Sequence, residues 1–190
     1  MLTNIVEWDK EIVIFLYQFF YKIPFITQIL WFLSSIQVYL FGIFLWWYFL
    51  IALIAKNIQT MKLLGLYGVV TITSFWLGQF LSSLAPFRAR PFVFLDIVPI
   101  IPHIDNPSFP SSHAIFFGIS IIVLMRWFFP SYQKIILIFI GGIMCLSRII
   151  GGIHYTSDIL IWTIIWLLLG YSVFQIVSYM DSKFSITNHS

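Results

Sequence analysis

The chain has 190 residues and a net charge of +3; 61% of its residues are apolar, 9% are charged, and its mean hydropathy is +0.98. Soluble domains carry roughly 25% charged residues, so this composition excludes a water-soluble globular protein, and the lack of any basic run excludes nucleic acid as a partner. The length admits one domain, 1–190.

The 21 Phe, 9 Tyr and 8 Trp supply side chains for a lipid-facing surface and interfacial belts. The single cysteine, Cys145, lies in an apolar run, which rules out an intramolecular disulfide and reads as a small core residue.

At the N-terminus, Glu7, Asp9, Lys10 and Glu11 stand where a signal peptide would carry basic residues and a small-residue cleavage site, so no removable signal is expected. Residues 12–32 are interrupted by Lys22 and Pro24, which leaves too short an apolar run to span. An interfacial helix followed by a short leading helix is expected there, with a sixth span as the alternative. Five later stretches approach the ~20 apolar residues that a span requires: 33–55, 61–84, 112–129, 132–149 and 158–180. Lys56-Asn57, Pro130-Ser131 and Gly151-Gly152 mark tight connections. The expected fold class is therefore all-α, a polytopic membrane helical bundle of five transmembrane helices with an N-terminal interfacial helix.

With five spans, Lys56, Lys62, Arg126, Lys134 and Lys183 fall on one side, which the positive-inside rule makes cytoplasmic. Arg88, Arg90 and Arg148 fall on the other side and need a separate reason to be there. The only long connection, 85–109, is rich in Phe, Ile and Pro. With Pro110 it holds six of the eight prolines, and it is expected to be packed.

Three polar clusters meet at that non-cytoplasmic face: Arg88-Ala89-Arg90-Pro91, Pro110-Ser111-Ser112-His113, and Ser147-Arg148 with His154 and Asp158. Arginine forks match phosphate oxygens. A helix beginning at Ser111 or Ser112 offers unspent N–H groups to an anion. His154 and Asp158 are four apart, so on a helical turn the carboxylate orients one imidazole nitrogen and leaves the other as nucleophile or base. His113 is then available as an acid. A lone membrane-edge Arg more often snorkels, and a lone Ser or His at a helix start more often caps. Their coincidence at one face is what argues for a site.

These residues resemble the three motifs of the type-2 phosphatidic acid phosphatase family, K-x6-R-P, P-S-G-H and S-R-x5-H-x3-D, in that order. Arg90-Pro91 matches the end of the first, Pro110-Ser111-Ser112-His113 the second with one change, and Ser147-Arg148…His154…Asp158 the third completely. The motif-bearing core is 61–180. The resemblance implies a lipid phosphatase in which His154 is a nucleophile forming a phosphohistidine, Asp158 orients it, and His113 protonates the leaving group. Arg90, Arg148, Ser111 and the backbone near Ser112 would bind the phosphoryl group. It implies no cofactor and no metal, and the neighbouring arginines would repel a cation.

The family lysine falls at Ser83 and the family glycine at Ser112. Arg88 is a candidate to replace the lysine charge, or else a headgroup anchor. The run from Arg90 through Pro102-His103 to His113 is similar to the bacterial undecaprenyl-diphosphate phosphatase branch, which would put His103, Asp105 and Asn106 near a distal phosphate; ordinary loop polarity is the plainer reading for those three.

The expected partners are a lipid phosphate or diphosphate substrate and membrane lipids, with the protein in the plasma membrane and its site on the non-cytoplasmic face. The alternatives are a phosphatidic acid, phosphatidylglycerophosphate or lipid A phosphatase, and, outside enzymes, a transporter or structural protein. An intramembrane serine protease would leave Arg90 and Arg148 without a role.

Overall fold

The computed structural model describes residues 2–84, 88–103, 105–126 and 131–187, the side chains of some helical residues aside. Among the described residues seven helices follow one another: α1 (Leu2–Tyr21), α2 (Pro24–Ile54), α3 (Ile58–Leu84), α4 (Pro91–Phe94), α5 (Ser112–Arg126), α6 (Ser131–Ile150) and α7 (Thr156–Thr187). Among the described residues there is no strand. The end of the third expected span, at Phe129, and the Pro130 connection lie outside the described residues, as do the side chains of Arg126 and Lys183.

The five expected spans coincide with α2, α3, α5, α6 and α7. On their described residues, α3, α6 and α7 are each long and apolar enough to cross a membrane alone, through Ile58–Leu81, Ser131–Ile150 and Thr156–Ile176. Shorter apolar stretches lie in α2 at Gly42–Ile54 and in α5 at Ser112–Ile122.

The N-terminal region differs from expectation in one respect. The leading helix and the first span are a single helix, because Pro24 stands at the first turn of α2 and nothing between it and Ile54 breaks the helix. At 31 residues α2 is roughly 46 Å long, more than the ~30 Å of hydrocarbon in a bilayer. The break at Lys22-Ile23 turns α1 by 113° from the first turns of α2. α1 thus lies crosswise over the bundle. Asp9, Val13 and Tyr17 are buried beneath it, while Trp8, Phe15 and Phe19 are exposed above.

The core is a continuous apolar cluster in which Ile115, Ile119 and Ile122 of α5 meet Trp162, Trp166 and Phe174 of α7, with Tyr67 and Met144 alongside. Large apolar side chains such as Trp46, Trp76, Phe139 and Leu168 point outward, as they should where the solvent is lipid. Gly118 allows α5 and α7 to approach: a Cβ there would stand 2.6 Å from the Thr163 carbonyl oxygen. That approach sets the start of α5, which carries His113, beside the start of α7, which carries Asp158. Tyr67 Oη and Ser120 Oγ, 3.1 Å apart, tie α3 to α5.

The long connection is packed, as expected. Ser108 N–H donates to the Arg88 carbonyl at 2.9 Å, closing the connection at its base. Phe92 N–H and Ile100 N–H donate to the carbonyls of Gly152 and Gly151 at 2.9 and 3.1 Å. Gly152 has φ +73°, a conformation glycine adopts without steric cost, and it turns the chain from α6 towards α7. Tyr17 Oη of α1 donates to the Val98 carbonyl at 2.6 Å and holds the connection from above.

Candidate active site

The polar clusters converge where α3, α5, α6 and α7 have helix ends. Arg90 precedes the short turn α4, with Pro91 at its first position. Its guanidinium is buried and fully directed: Nη1 donates to the Ile153 carbonyl at 2.7 Å and reaches His154 Nε2 at 3.3 Å, while Nε donates to Asn106 Oδ1 at 2.8 Å. Burial draws its pKa down to about 10, and the carboxylates of Asp158 and Asp105 work against that.

His154 lies in the tight connection after α6, its backbone N–H donating to the Arg148 carbonyl at 3.2 Å. Burial is the main force on its ring and draws its pKa down to about 4; Asp158 opposes this, and the charges of Arg90 and Arg148 add to it. At neutral pH the ring is therefore uncharged. An Arg90 N–H facing Nε2 requires a lone pair there, which places the ring proton on Nδ1.

Asp158 stands in the first turn of α7 and is almost wholly buried. Its Oδ2 accepts from Ser108 Oγ and from Tyr155 N–H at 3.0 Å, and its Oδ1 accepts from Arg88 Nη1 at 3.3 Å. His154 Nδ1 faces Oδ2 at 3.8 Å, beyond hydrogen-bond range, and has no other partner. The oriented pair foreseen from the i, i+4 spacing thus has the right facing atoms at a longer separation than a closed bond.

Ser111 caps α5. Its hydroxyl is buried without a hydrogen-bond partner, an uncommon state for a buried polar group and one that a bound oxyanion would relieve. Ser112 and His113 open the helix, whose first N–H groups have no intrahelical acceptor. Arg148, at the buried end of α6, donates through Nη2 to His113 Nε2. Ser147 turns away, its hydroxyl donating to the Met144 carbonyl at 2.6 Å.

A cavity of about 690 Å³ adjoins this end of the bundle. Ser112, His113 and Arg148 line its polar end, and Tyr39, Ile72, Phe75 and Trp76 of α2 and α3 its apolar walls. Such a lining suits an apolar chain with an anionic head. No cluster of metal-ligating side chains occurs among the described residues.

Ser83 and Arg88, the two positions weighed for the missing lysine charge, differ in placement. Ser83, at the family lysine position, is exposed, and its hydroxyl donates back to the Phe80 carbonyl at 2.7 Å. Arg88 Nη1 is turned to carboxylates: Asp9 at 2.9 Å and Asp158 at 3.3 Å, with Ser157 Oγ at 2.8 Å. Its guanidinium lies over the Tyr155 ring, 3.3 Å from the centroid. Four residues in this network were not singled out in the sequence, or not for these partners: Asp9, Asn106, Ser108 and Ser157. The available signal for Asp9 was its register, since 9, 13 and 17 recur at the i, i+4 spacing of one helix face and an acid on an apolar stripe needs a partner.

Residues 59–181 match the PAP2 superfamily. The chain belongs to that family. Among curated proteins it is similar to undecaprenyl-diphosphatase BcrC of Bacillus subtilis, 33% identical over 113 residues that make up 58% of this chain and 56% of the relative. It is also similar to the bacitracin transport permease protein BcrC of Bacillus licheniformis, 26% identical over 135 residues, 70% of this chain and 63% of the relative. The match thus spans less than two thirds of either relative. The fold is similar to that of a transmembrane PAP2-type phosphatidylglycerolphosphate phosphatase from Bacillus subtilis, with a TM-score of 0.66 and 20% identity over 95% of this chain and 87% of the other. It is similar as well to Aquifex aeolicus LpxE, with a TM-score of 0.59 and 18% identity over 80% and 87%. The expected all-α membrane fold and the expected family hold.

Proposed function

We propose that this membrane protein is a phosphatase that cleaves the terminal phosphate from undecaprenyl diphosphate, leaving undecaprenyl phosphate, through a phosphohistidine on His154. The observation that carries the reading is the neutral, buried His154 set between Arg90 on Nε2 and Asp158 on the Nδ1 side. In the first step Nε2 attacks the terminal phosphorus, an N–P bond forms and the bridging P–O bond breaks. The departing lipid phosphate oxygen takes a proton from His113. The imidazole becomes cationic, and its Nδ1–H faces the Asp158 carboxylate; a movement of about 1 Å closes that gap to a hydrogen bond and stabilises the developing charge. Water then attacks phosphorus, giving its proton to His113 while the N–P bond breaks, and inorganic phosphate leaves.

Arg90 and Arg148 serve as the cations for the phosphoryl oxygens, aided by Ser111 Oγ and the N–H groups of α5. A phosphoryl group that draws Arg148 to itself frees the His113 Nε2 lone pair to take a proton from the bound substrate phosphate, and the ring then passes that proton to the leaving oxygen. The apolar walls of the 690 Å³ cavity suit the lipid tail. Support for the diphosphate comes from the name of the 33% identical relative.

The basic residues in the Lys56–Lys62 connection and at Lys134 lie at the far ends of the helices, and they support a site on the non-cytoplasmic face of the plasma membrane. A second reading, a phosphatidylglycerophosphate, phosphatidic acid or lipid A phosphatase, is favoured by the cavity's plain apolar walls, which do not select one tail. Transport is disfavoured because the ionisable groups sit at helix ends, not at the bilayer midplane. Phosphate release by the purified protein, in EDTA, from polyprenyl diphosphate, phosphatidic acid and phosphatidylglycerophosphate decides among these. The reading fails if polyprenyl diphosphate is the poorest of the three.

A further inference from the structure

Asp9 lies outside the segment that matches the family and well away from the three motifs, yet it is one of the most buried charged residues described. A carboxylate is rarely buried unless it is paired. Both of its oxygens are bonded to elements of the site. Oδ1 accepts the Ser157 N–H at 3.0 Å, one of the unspent donors in the first turn of α7. Oδ2 accepts the Ser157 hydroxyl and Arg88 Nη1, the latter at 2.9 Å. Arg88 in turn reaches Asp158 Oδ1 at 3.3 Å and is stacked on Tyr155. A smaller cavity of about 240 Å³ lies at this network, lined by Arg88, Ser157 and Asp158 with Phe109 and Ile161.

We propose that Asp9 is a positioning residue for the phosphoryl-transfer reaction: it caps α7 across the bundle and holds Arg88, and through both it sets the orientation and charge of the Asp158 carboxylate beside His154. This rests on the phosphatase reading above. The electrostatic reason is direct. Asp158 must stabilise the imidazolium that forms on His154, and a full positive charge from Arg88 would compete for it. Asp9 shares that charge. Without Asp9, Arg88 turns wholly to Asp158, the carboxylate is drawn away from Nδ1, and the start of α7 loses an anchor. The substrate's phosphoryl oxygens are bound by other groups, so the effect falls on the chemical step and not on binding.

The test compares full-length Asp9→Ala, Asp9→Asn, Arg88→Ala and the Asp9→Ala/Arg88→Ala double variant with wild type in detergent, with Glu7→Gln on the same helix as a control. Loss of a residue that orients a catalytic ligand typically costs 10–100-fold, and a kcat fall of about that size is expected for Asp9→Ala, with KM within about twofold. Asp9→Asn keeps an acceptor for the Ser157 N–H and loses the charge, so it should retain the cap and still lose kcat. Removing Arg88 from the Asp9→Ala protein should cost much less than removing it from wild type, because the two act as one unit.

A readout independent of turnover is hydrogen–deuterium exchange at residues 155–159, which should quicken in Asp9→Ala and stay near wild type in Asp9→Asn and Glu7→Gln. Wild-type kcat in folded Asp9→Asn, a rise in KM with kcat unchanged, multiplicative losses in the double variant, or unchanged exchange in Asp9→Ala would each overturn the proposal. If Asp9→Ala does not fold, Asp9→Asn decides by its kcat. A wild-type protein that releases no phosphate from any lipid, with exchange still quickened in Asp9→Ala, overturns the phosphatase reading and keeps the clamp.

Discussion

Arg88 and Arg90 are two residues apart on one extended segment, and they face opposite chemistry. Arg90 reaches a neutral imidazole, a carbonyl and an amide, all uncharged partners. Arg88 is held between two carboxylates and a tyrosine ring. One guanidinium thus hydrogen-bonds to no carboxylate, although Asp158 and Asp105 are near, and it faces the proposed reacting nitrogen, where a phosphate would meet it. The other turns Nη1 to carboxylates within the protein, and its Nη2 is buried without a hydrogen-bond partner. A count of arginines near a motif therefore overstates the charge offered to substrate, and the partners decide which arginine counts.

The comparison breaks most sharply at the proposed nucleophile. His154→Ala is expected to lower turnover by at least three orders of magnitude, with wild-type folding by thermal melting. Rapid acid-free quenching with labelled substrate should trap phosphate on His154 in the wild type and none in the variant.

The two arginines should then separate kinetically. Arg90→Ala is expected to lower kcat/KM about 100-fold or more, with a rise in KM, because a charge-assisted contact to the phosphoryl group is lost. Arg88→Ala should lower kcat and leave KM nearly unchanged. Steady-state kinetics on both variants checks this, and a raised KM in Arg88→Ala would place its charge on the substrate.

A pH titration sharpens the Arg90 side. The nucleophile must be unprotonated, and burial with two nearby guanidiniums draws the His154 pKa from 6.5 to about 4. The acid limb of kcat/KM should therefore lie well below pH 6. The linkage has a definite sign. Between pH 6.5 and about 4 an unfolded His154 binds a proton that the folded one does not, so the unfolded state gains protons and stability falls as pH is lowered through that window. His154→Gln should flatten that part of the dependence of Tm on pH.

Smaller effects are expected at the edges. Asn106→Ala removes the acceptor for Arg90 Nε and should cost a few-fold to tenfold in kcat/KM. Ser83→Lys should change activity in the Arg88→Ala background by less than about threefold, since Ser83 is exposed and Arg88 serves carboxylates; rescue beyond about tenfold would show that the two positions supply the same charge.

Much of this was legible in the sequence because lipid imposes a simple rule: every span must be a long apolar helix. Hence α3 and α6 begin and end within three residues of the expected bounds, while α7 begins two residues early and runs on to Thr187, seven residues past the expected end. The motif residues could be grouped because helix ends on one side of a membrane have few places to go. The fusion of the leading helix with the first span was harder to read. Lys22 and Pro24 signal a break, but only the uninterrupted apolar run after Pro24 shows that nothing restarts the helix at residue 33. Asp9 was harder still. Its partners lie 79 and 148 residues away, and no local spacing encodes a contact made by one helix lying across the ends of others. The direction of Arg88 was hidden for the same reason, since its principal partner was unknown.

That separation of 148 residues also bears on biosynthesis. At 5–20 residues per second, roughly 7–30 s elapse between the synthesis of Asp9 and that of Ser157. Arg88 emerges about half-way through that interval. For the first half Asp9 lacks both Arg88 and the Ser157 N–H, so α1 must wait in water or among headgroups before it settles over the bundle. The contact between α1 and α7 forms only once the start of α7 has been made, and the Asp158 carboxylate, which lies on that same turn, acquires its full set of partners no earlier. A nascent chain stalled in the membrane before that point would carry Arg90 and His113 but no assembled reaction centre.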